Sequence, residues 1–190
     1  MGQVLAKGVN FLYSKQFIEA QYGGAVWVRV MKSLSPESSA VWSGALLAHQ
    51  EYPFSAFKEM TTKLIGEIQA AQDSETARIY EYIADQSLNR MYKIFFAFSN
   101  PSFVIKNYPK LWAKFFNSGK VEVPVSEKGH AVLKFTVPEI FLDWLPPACL
   151  GYSKKAVEMA GGRNLTMKAL TKSPASAGTW EITYELRWQE

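Results

Sequence analysis

A chain of 190 residues, 48% hydrophobic and 20% charged, is long enough to bury most of the surface its unfolded form exposes, which excludes extended disorder. One cysteine excludes an internal disulfide, and no apolar run reaches the roughly 18 residues of a membrane-spanning helix. The net charge of +4 is too modest to mark a nucleic-acid binder and lies wholly in the second half, where residues 100–190 carry twelve basic and eight acidic groups against nine and nine in residues 1–99.

The opening MGQVLAKGVNFLYSK lacks the long apolar region and cleavage site of a signal peptide, so a cytoplasmic location is expected. Gly2 suits N-acylation, but Ala6 stands where that motif needs Ser or Thr. The segment reads as the start of an amphipathic helix. Residues 1–98 as a whole read as a helical lobe. VWSGALLAH, 41–49, shows no strand alternation, and His49 ends this helical pattern as a capping residue. YPFSAFKEMTTKLIGEIQ places Pro53 at a helix start and Phe54, Phe57, Met60, Leu64, Ile65 and Ile68 on one stripe. A second stripe runs through Ala77, Tyr80, Ile83, Ala84, Leu88, Met91 and Phe95, with Ser74 as a candidate N-cap. SPESSA, 35–40, reads as a polar connector.

The period then changes. Asn100 caps a short helix from Pro101, and Pro109 opens another that closes near Gly119. On this second helix Leu111, Trp112, Phe115 and Phe116 span an arc of about 140°, with Lys110, Lys114 and Asn117 opposite. Rings and lysines are segregated, whereas a reader of single-stranded nucleic acid needs them on one accessible face. KVEVPV and HAVLKFTV alternate around Glu-Lys-Gly and form a hairpin, with Pro124 on an edge strand. Pro146 and Pro147 interrupt any helix begun at 138 and start a new one that ends before Gly161, with Cys149, Ser153, Ala156 and Ala160 as a narrow face suited to a sheet. NLTMKAL and TWEITYELRW make a second hairpin around the polar TKSPASAG, the latter strand turning Trp180, Ile182, Tyr184, Leu186 and Trp188 inward. The order predicts an α+β fold: a single domain over 1–190, with helices in 1–98 and a helix plus a roughly four-stranded antiparallel sheet in 99–190.

No catalytic signature emerges. His49 and His130 are the only histidines, and with one cysteine in a separate element they give no metal-ligand spacing. His130 shares the outward face of its strand with Lys134 and Thr136. A nucleophile elbow and a phosphate loop are both absent, and AGGR at 160–163 is explained by a helix stop and turn. An isolated Cys149 is expected as a small buried residue.

NPSFVIKNYPKLWAKFFNSGKVEV, FLDWLPPACLGYSKKAVEMAGGRNLTMKAL and the closing TWEITYELRW resemble the superfamily of haem nitric-oxide/oxygen-binding (H-NOX) domains, 4-vinyl-reductase-like domains and TRAPP subunits, most specifically its haem-free myxobacterial and deltaproteobacterial members of unknown function. The opening MGQVLAKGVNFLYSKQFIEAQYGGAVWVRV is similar to the first helices of the haem-binding branch. That branch carries an axial His near the position of FFAFSNPSF and a later Tyr-x-Ser-x-Arg motif. This chain has no His between 50 and 129 and no such motif, and its closing hairpin lacks the cysteines frequent in the vinyl-reductase-like branch.

The resemblance therefore implies a non-enzymatic cytoplasmic sensory or adaptor module without a cofactor, acting through a protein partner, a homodimer or a small apolar ligand, with no nucleic acid and no membrane span. The twelve Phe and six Trp fit either a solid core or an enclosed pocket. For a pocket the candidate wall is Trp112, Phe115, Phe116, Trp144, Cys149 and Tyr152. The alternative is a haem- or tetrapyrrole-binding gas sensor that uses His49 as its ligand.

Overall fold

A computed structural model describes residues 2–96 and 100–190, the side chains of 90–96 excepted. Met91 and Phe95 of the predicted stripe, and the boundary drawn between residues 98 and 99, lie outside the described residues. The elements run β1 (Leu5–Lys7), α1 (Gly8–Ser33), α2 (Pro36–Ser43), β2 (Glu51–Pro53), α3 (Phe54–Ile68), α4 (Gln72–Phe96), α5 (Pro101–Lys106), α6 (Tyr108–Phe115), β3 (Lys120–Glu127), β4 (His130–Pro138), α7 (Leu145–Met159), β5 (Arg163–Ser176) and β6 (Thr179–Gln189). A 3-10 turn over Glu139–Phe141 leads into α7. This is an α+β architecture with a helical N-terminal part.

The first half departs from the sequence reading in two places. Leu5–Lys7 is a strand, paired antiparallel with Glu51–Pro53. The Asn117 side chain anchors it, accepting from the Leu5 N–H at 2.7 Å and donating to the Gln3 carbonyl at 3.2 Å. Helix α2 is the second departure: Ser35 caps it, Pro36 occupies its first turn, and Glu59 of α3 accepts from the Ser35 amide and the Ser35 and Ser38 hydroxyls. The cap signal Ser-Pro-Glu was present in the stretch read as a connector. The helix stops at Ser43, so His49 does not cap it but stands exposed in the turn before β2.

Helix α3 buries Phe54, Phe57, Met60 and Leu64 as its spacing requires, while Ile65 and Ile68 are half-buried. Helix α4 begins two residues before Ser74, whose hydroxyl donates to the Ala71 carbonyl inside the first turn instead of capping from outside it. Asn100 caps α5 by accepting from the Phe103 amide at 2.8 Å. Helix α6 ends at Phe115, earlier than Gly119, because Phe116 turns extended (φ −136°, ψ 143°) and bridges to Ala6.

The four-stranded antiparallel sheet has the order β3-β4-β6-β5. Val121, Ala131, Leu133, Phe135, Val137, Ile182, Tyr184, Leu186 and Trp188 fill its helix-covered face. Lys134–Glu181 at 2.9 Å, His130–Glu185 at 3.2 Å and Arg187–Glu185 at 2.7 Å lie on the other face. Strand β5 runs through most of TKSPASAG, which is therefore strand and turn instead of a connector; its pairing shifts register three times. Helix α7 lies between sheet and helices. Its Cys149, Ser153 and Ala156 are buried as predicted, yet its tightest contact is with a helix, since a Cβ on Gly151 would stand 2.1 Å from the Ala77 carbonyl oxygen of α4. Lys154–Glu81 at 2.9 Å and Lys155–Asp85 at 3.1 Å join the same two helices beyond that contact, C-terminal to it on each.

Candidate functional site

The seam between helices and sheet is built from rings. Phe54 on α3 has ring centroids of Phe141 at 4.6 Å, Trp144 at 4.9 Å and Phe116 at 5.8 Å around it. Trp112 joins through Phe116 at 4.6 Å and Phe135 at 5.5 Å, so α3, α6, the 3-10 turn and β4 meet in one aromatic cluster. Edge-to-face pairs of this kind stabilise beyond their area by ~0.5–1.5 kcal/mol each.

Trp112, Phe115, Phe116, Trp144, Cys149 and Tyr152 all line a single internal space between these elements. Its volume is ≈ 20 Å³, room for about one water molecule. Sequence reading missed Asn10, Tyr80 and Tyr108, which also line it. Asn10 is fully buried on α1, one turn before the equally buried Ser14, and a polar pair within a helix face that also buries Phe11, Phe17 and Ile18 was the available signal. Its Nδ2 donates to the Lys7 carbonyl at 3.1 Å and its Oδ1 accepts from the Tyr80 hydroxyl at 3.4 Å. The Trp144 indole N–H, buried and without a hydrogen-bond partner among the described residues, belongs to a ring packed against the Tyr80 ring at 4.9 Å. Burial raises the pKa of Tyr80 and Tyr108 well above the phenol range. Burial likewise pushes the Cys149 thiol up to about 11, against the smaller opposing pull of Tyr108 and Ser153. Neutral phenols and a neutral thiol can position a ligand but supply no base or thiolate nucleophile.

A second, larger space opens beside the first. It measures ≈ 360 Å³ and is lined by Val9 at the start of α1, Ala48 and His49 in the turn before β2, Ser87 of α4, and Leu111, Lys114 and Phe115 of α6, with Lys7 and Tyr152 completing it. Leu111, Phe115 and Tyr152 are shared with the inner space. His49 thus lies in a cleft, but it is exposed, and among the described residues no hydrogen bond orients its ring. His130 is remote from both, on the outer face of β4 beside Glu185. Among the described residues no three His, Cys, Asp or Glu side chains come close enough to hold a metal ion.

No protein-family model matches the chain, and no curated protein matches it. Solved structures do match. An oxygen-binding H-NOX domain related to soluble guanylate cyclases superposes with a TM-score of 0.72, at 8% identity, over 97% of this chain and 95% of that one. The unliganded Fe(II) H-NOX protein of K. algicida gives 0.73 at 12% identity, over 97% of both chains. The S. oneidensis H-NOX protein in its Fe(II) state gives 0.74 at 11%, over 97% and 96%. This chain has the H-NOX fold. At such identities the likeness is one of backbone path.

Proposed function

We propose that this chain is a non-enzymatic sensory or adaptor module that keeps the H-NOX fold without a haem, and that it works in the cytoplasm through a protein partner or a small apolar ligand. The observation that carries this reading is the filled seam. Its rings leave ≈ 20 Å³, where pockets enclosing an organic cofactor measure about 300–1,000 Å³. The residues present do not fit a haem. The larger cleft offers one imidazole, His49, exposed and without the partner that a metal-bound histidine usually has on its other ring nitrogen. The sequence has no other histidine before residue 130. No helix among the described residues is long and apolar enough to cross a membrane.

The test is a visible spectrum after incubation with haem. The expected result is the spectrum of free haem, unchanged in a His49→Ala variant. A protein-dependent Soret band that disappears in that variant overturns the reading in favour of a haem sensor. Native mass spectrometry of gently purified protein then distinguishes a retained small molecule from a defined oligomer.

A further inference from the structure

We propose that the outer edge of α5 and α6 docks the protein reversibly on an anionic lipid surface, with the Phe103 ring settled among the headgroups and Lys106 and Lys110 against the phosphates. The inference goes beyond the proposed function by naming a surface on which the module works. It starts from charge. From Gln86 to Val121 the sequence has no acidic residue and six basic ones, Arg90, Lys93, Lys106, Lys110, Lys114 and Lys120, so this run alone exceeds the net charge of +4.

The fold turns part of that run into one continuous edge. Asn107 joins the two helices without breaking their period: its N–H donates to the Phe103 carbonyl at 3.3 Å and its carbonyl accepts from the Leu111 amide at 3.2 Å. Pro101, Val104, Ile105, Tyr108, Leu111 and Trp112 are buried at helical spacing through both elements, and Phe103, Lys106, Lys110 and Lys114 are exposed at spacings of three and four on the other side. Lys120 pairs with Glu122 at 2.7 Å and Lys114 is already engaged, so neither is counted toward the site. Lys106 and Lys110 make no ion pair or side-chain hydrogen bond among the described residues, which leaves two ammonium groups one turn apart without counter-charge beside an exposed ring.

The character of the edge then decides among polyanionic partners. Phe103, 51% exposed, is its one large exposed apolar side chain among the described residues; Val28, Leu47 and Leu170, open to a similar degree, belong to α1, the turn before β2 and β5. A protein interface centres on apolar anchors enclosed by neighbours that exclude water, and a reader of single-stranded nucleic acid stacks successive bases on several rings. A bilayer asks for neither. An aromatic ring settles singly at the headgroup level, and lysines beside it meet the negative potential of an anionic leaflet. Two lysines and one ring make the attachment weak, so it responds to lipid composition and to salt.

The experiment sediments the full chain with vesicles of phosphatidylcholine alone and of equal parts phosphatidylcholine and phosphatidylglycerol. Binding is expected to the anionic vesicles only, and to fall away between about 0.1 M and about 1 M salt, as the screening length shortens from about 10 Å to about 3 Å. The double variant Lys106→Gln/Lys110→Gln should lose at least tenfold in partition, about fivefold for each lysine. Lys168→Gln/Lys172→Gln, the same change in net charge at exposed positions of β5, should stay within about twofold of the wild type. Phe103→Ser should weaken binding several-fold with the thermal midpoint unchanged. Equal binding to both kinds of vesicle, or equal loss in the two double variants, overturns the site. Absence of vesicle binding overturns the lipid assignment, and retention on immobilised polyglutamate that is lost in Lys106→Gln/Lys110→Gln would then give the edge to an acidic protein segment.

Discussion

At Gly151 a Cβ atom would stand 2.1 Å from the Ala77 carbonyl oxygen, and because that neighbour is helix backbone it cannot swing aside. Gly151→Ala should therefore cost about 1–3 kcal/mol or more, read from urea denaturation. Gly66, inside α3 with nothing within 4 Å of its missing Cβ, supplies the contrast. Gly66→Ala should stabilise by about 0.5–1 kcal/mol through helix propensity alone. Cys149 gives a second expectation at this scale. Its thiol, 2% exposed and pushed up to about 11, should stay unreactive toward a disulfide reagent in mildly alkaline buffer and react stoichiometrically once urea unfolds the chain. Fast modification of the folded protein would show that the α7–sheet contact opens. Residues of this kind were partly legible: Cys149 reads as a small buried residue from sequence, whereas Gly151 does not differ on paper from a helix glycine facing water. Its meaning depends on which helix crosses there.

Among the helices, α2 is the one that sequence reading passed over, and it is held from outside its own span. Its N-terminus is secured by Glu59, whose carboxyl is kept below the usual carboxylate range, first by the Ser38 hydroxyl and then by the Ser35 amide. A carboxylate with a depressed folded-state pKa adds stability above its unfolded value and loses it as pH falls through the folded one. The advantage of the wild type over Glu59→Gln should hold near neutrality and shrink below about pH 4. Thermal unfolding across that interval measures it, and an advantage that persists to full protonation would assign the effect to packing. Ser35→Ala should cost about 1 kcal/mol as an N-cap loss. The strongly patterned elements were readable: α3, α6, β4 and β6 carry one clear stripe or an alternation. The short pair β1 and β2 was not, because three-residue strands have no period to detect and exist only by pairing with each other. The outer half of β5 was hidden for a related reason. Its Lys, Ser and Pro residues lie at a solvent-exposed edge, where polarity and proline are tolerated.

For the whole molecule, the aromatic seam joins the helical part to the sheet. Trp144 touches Phe54 of α3, Tyr80 of α4, Phe116 after α6 and Phe141 of the 3-10 turn, with ring distances from 4.9 to 5.6 Å. Trp144→Ala should cost about 3–5 kcal/mol and lower the stability of both parts together, giving coincident far-ultraviolet and fluorescence transitions. Separate transitions would show that the helices and the sheet fold independently. That these six residues lie together at the seam follows from bulky rings and one small thiol spaced along two separate segments, α6 with its C-cap and the start of α7. The cleft beside them was not, since it is closed by the turn carrying Ala48 and His49, whose place follows from the β1–β2 pairing.

The Gly151–Ala77 crossing also has a mechanical consequence. Most packed helices are separated by a layer of side chains on which they can slide; α4 and α7 touch main chain to main chain and have no such bearing surface. The Lys154–Glu81 and Lys155–Asp85 pairs, both C-terminal to the contact on their helices, tie α4 and α7 together further along. Tyr152, the residue after Gly151, forms part of the cleft wall. The cleft wall is thus set beside a main-chain contact along which α7 cannot slide.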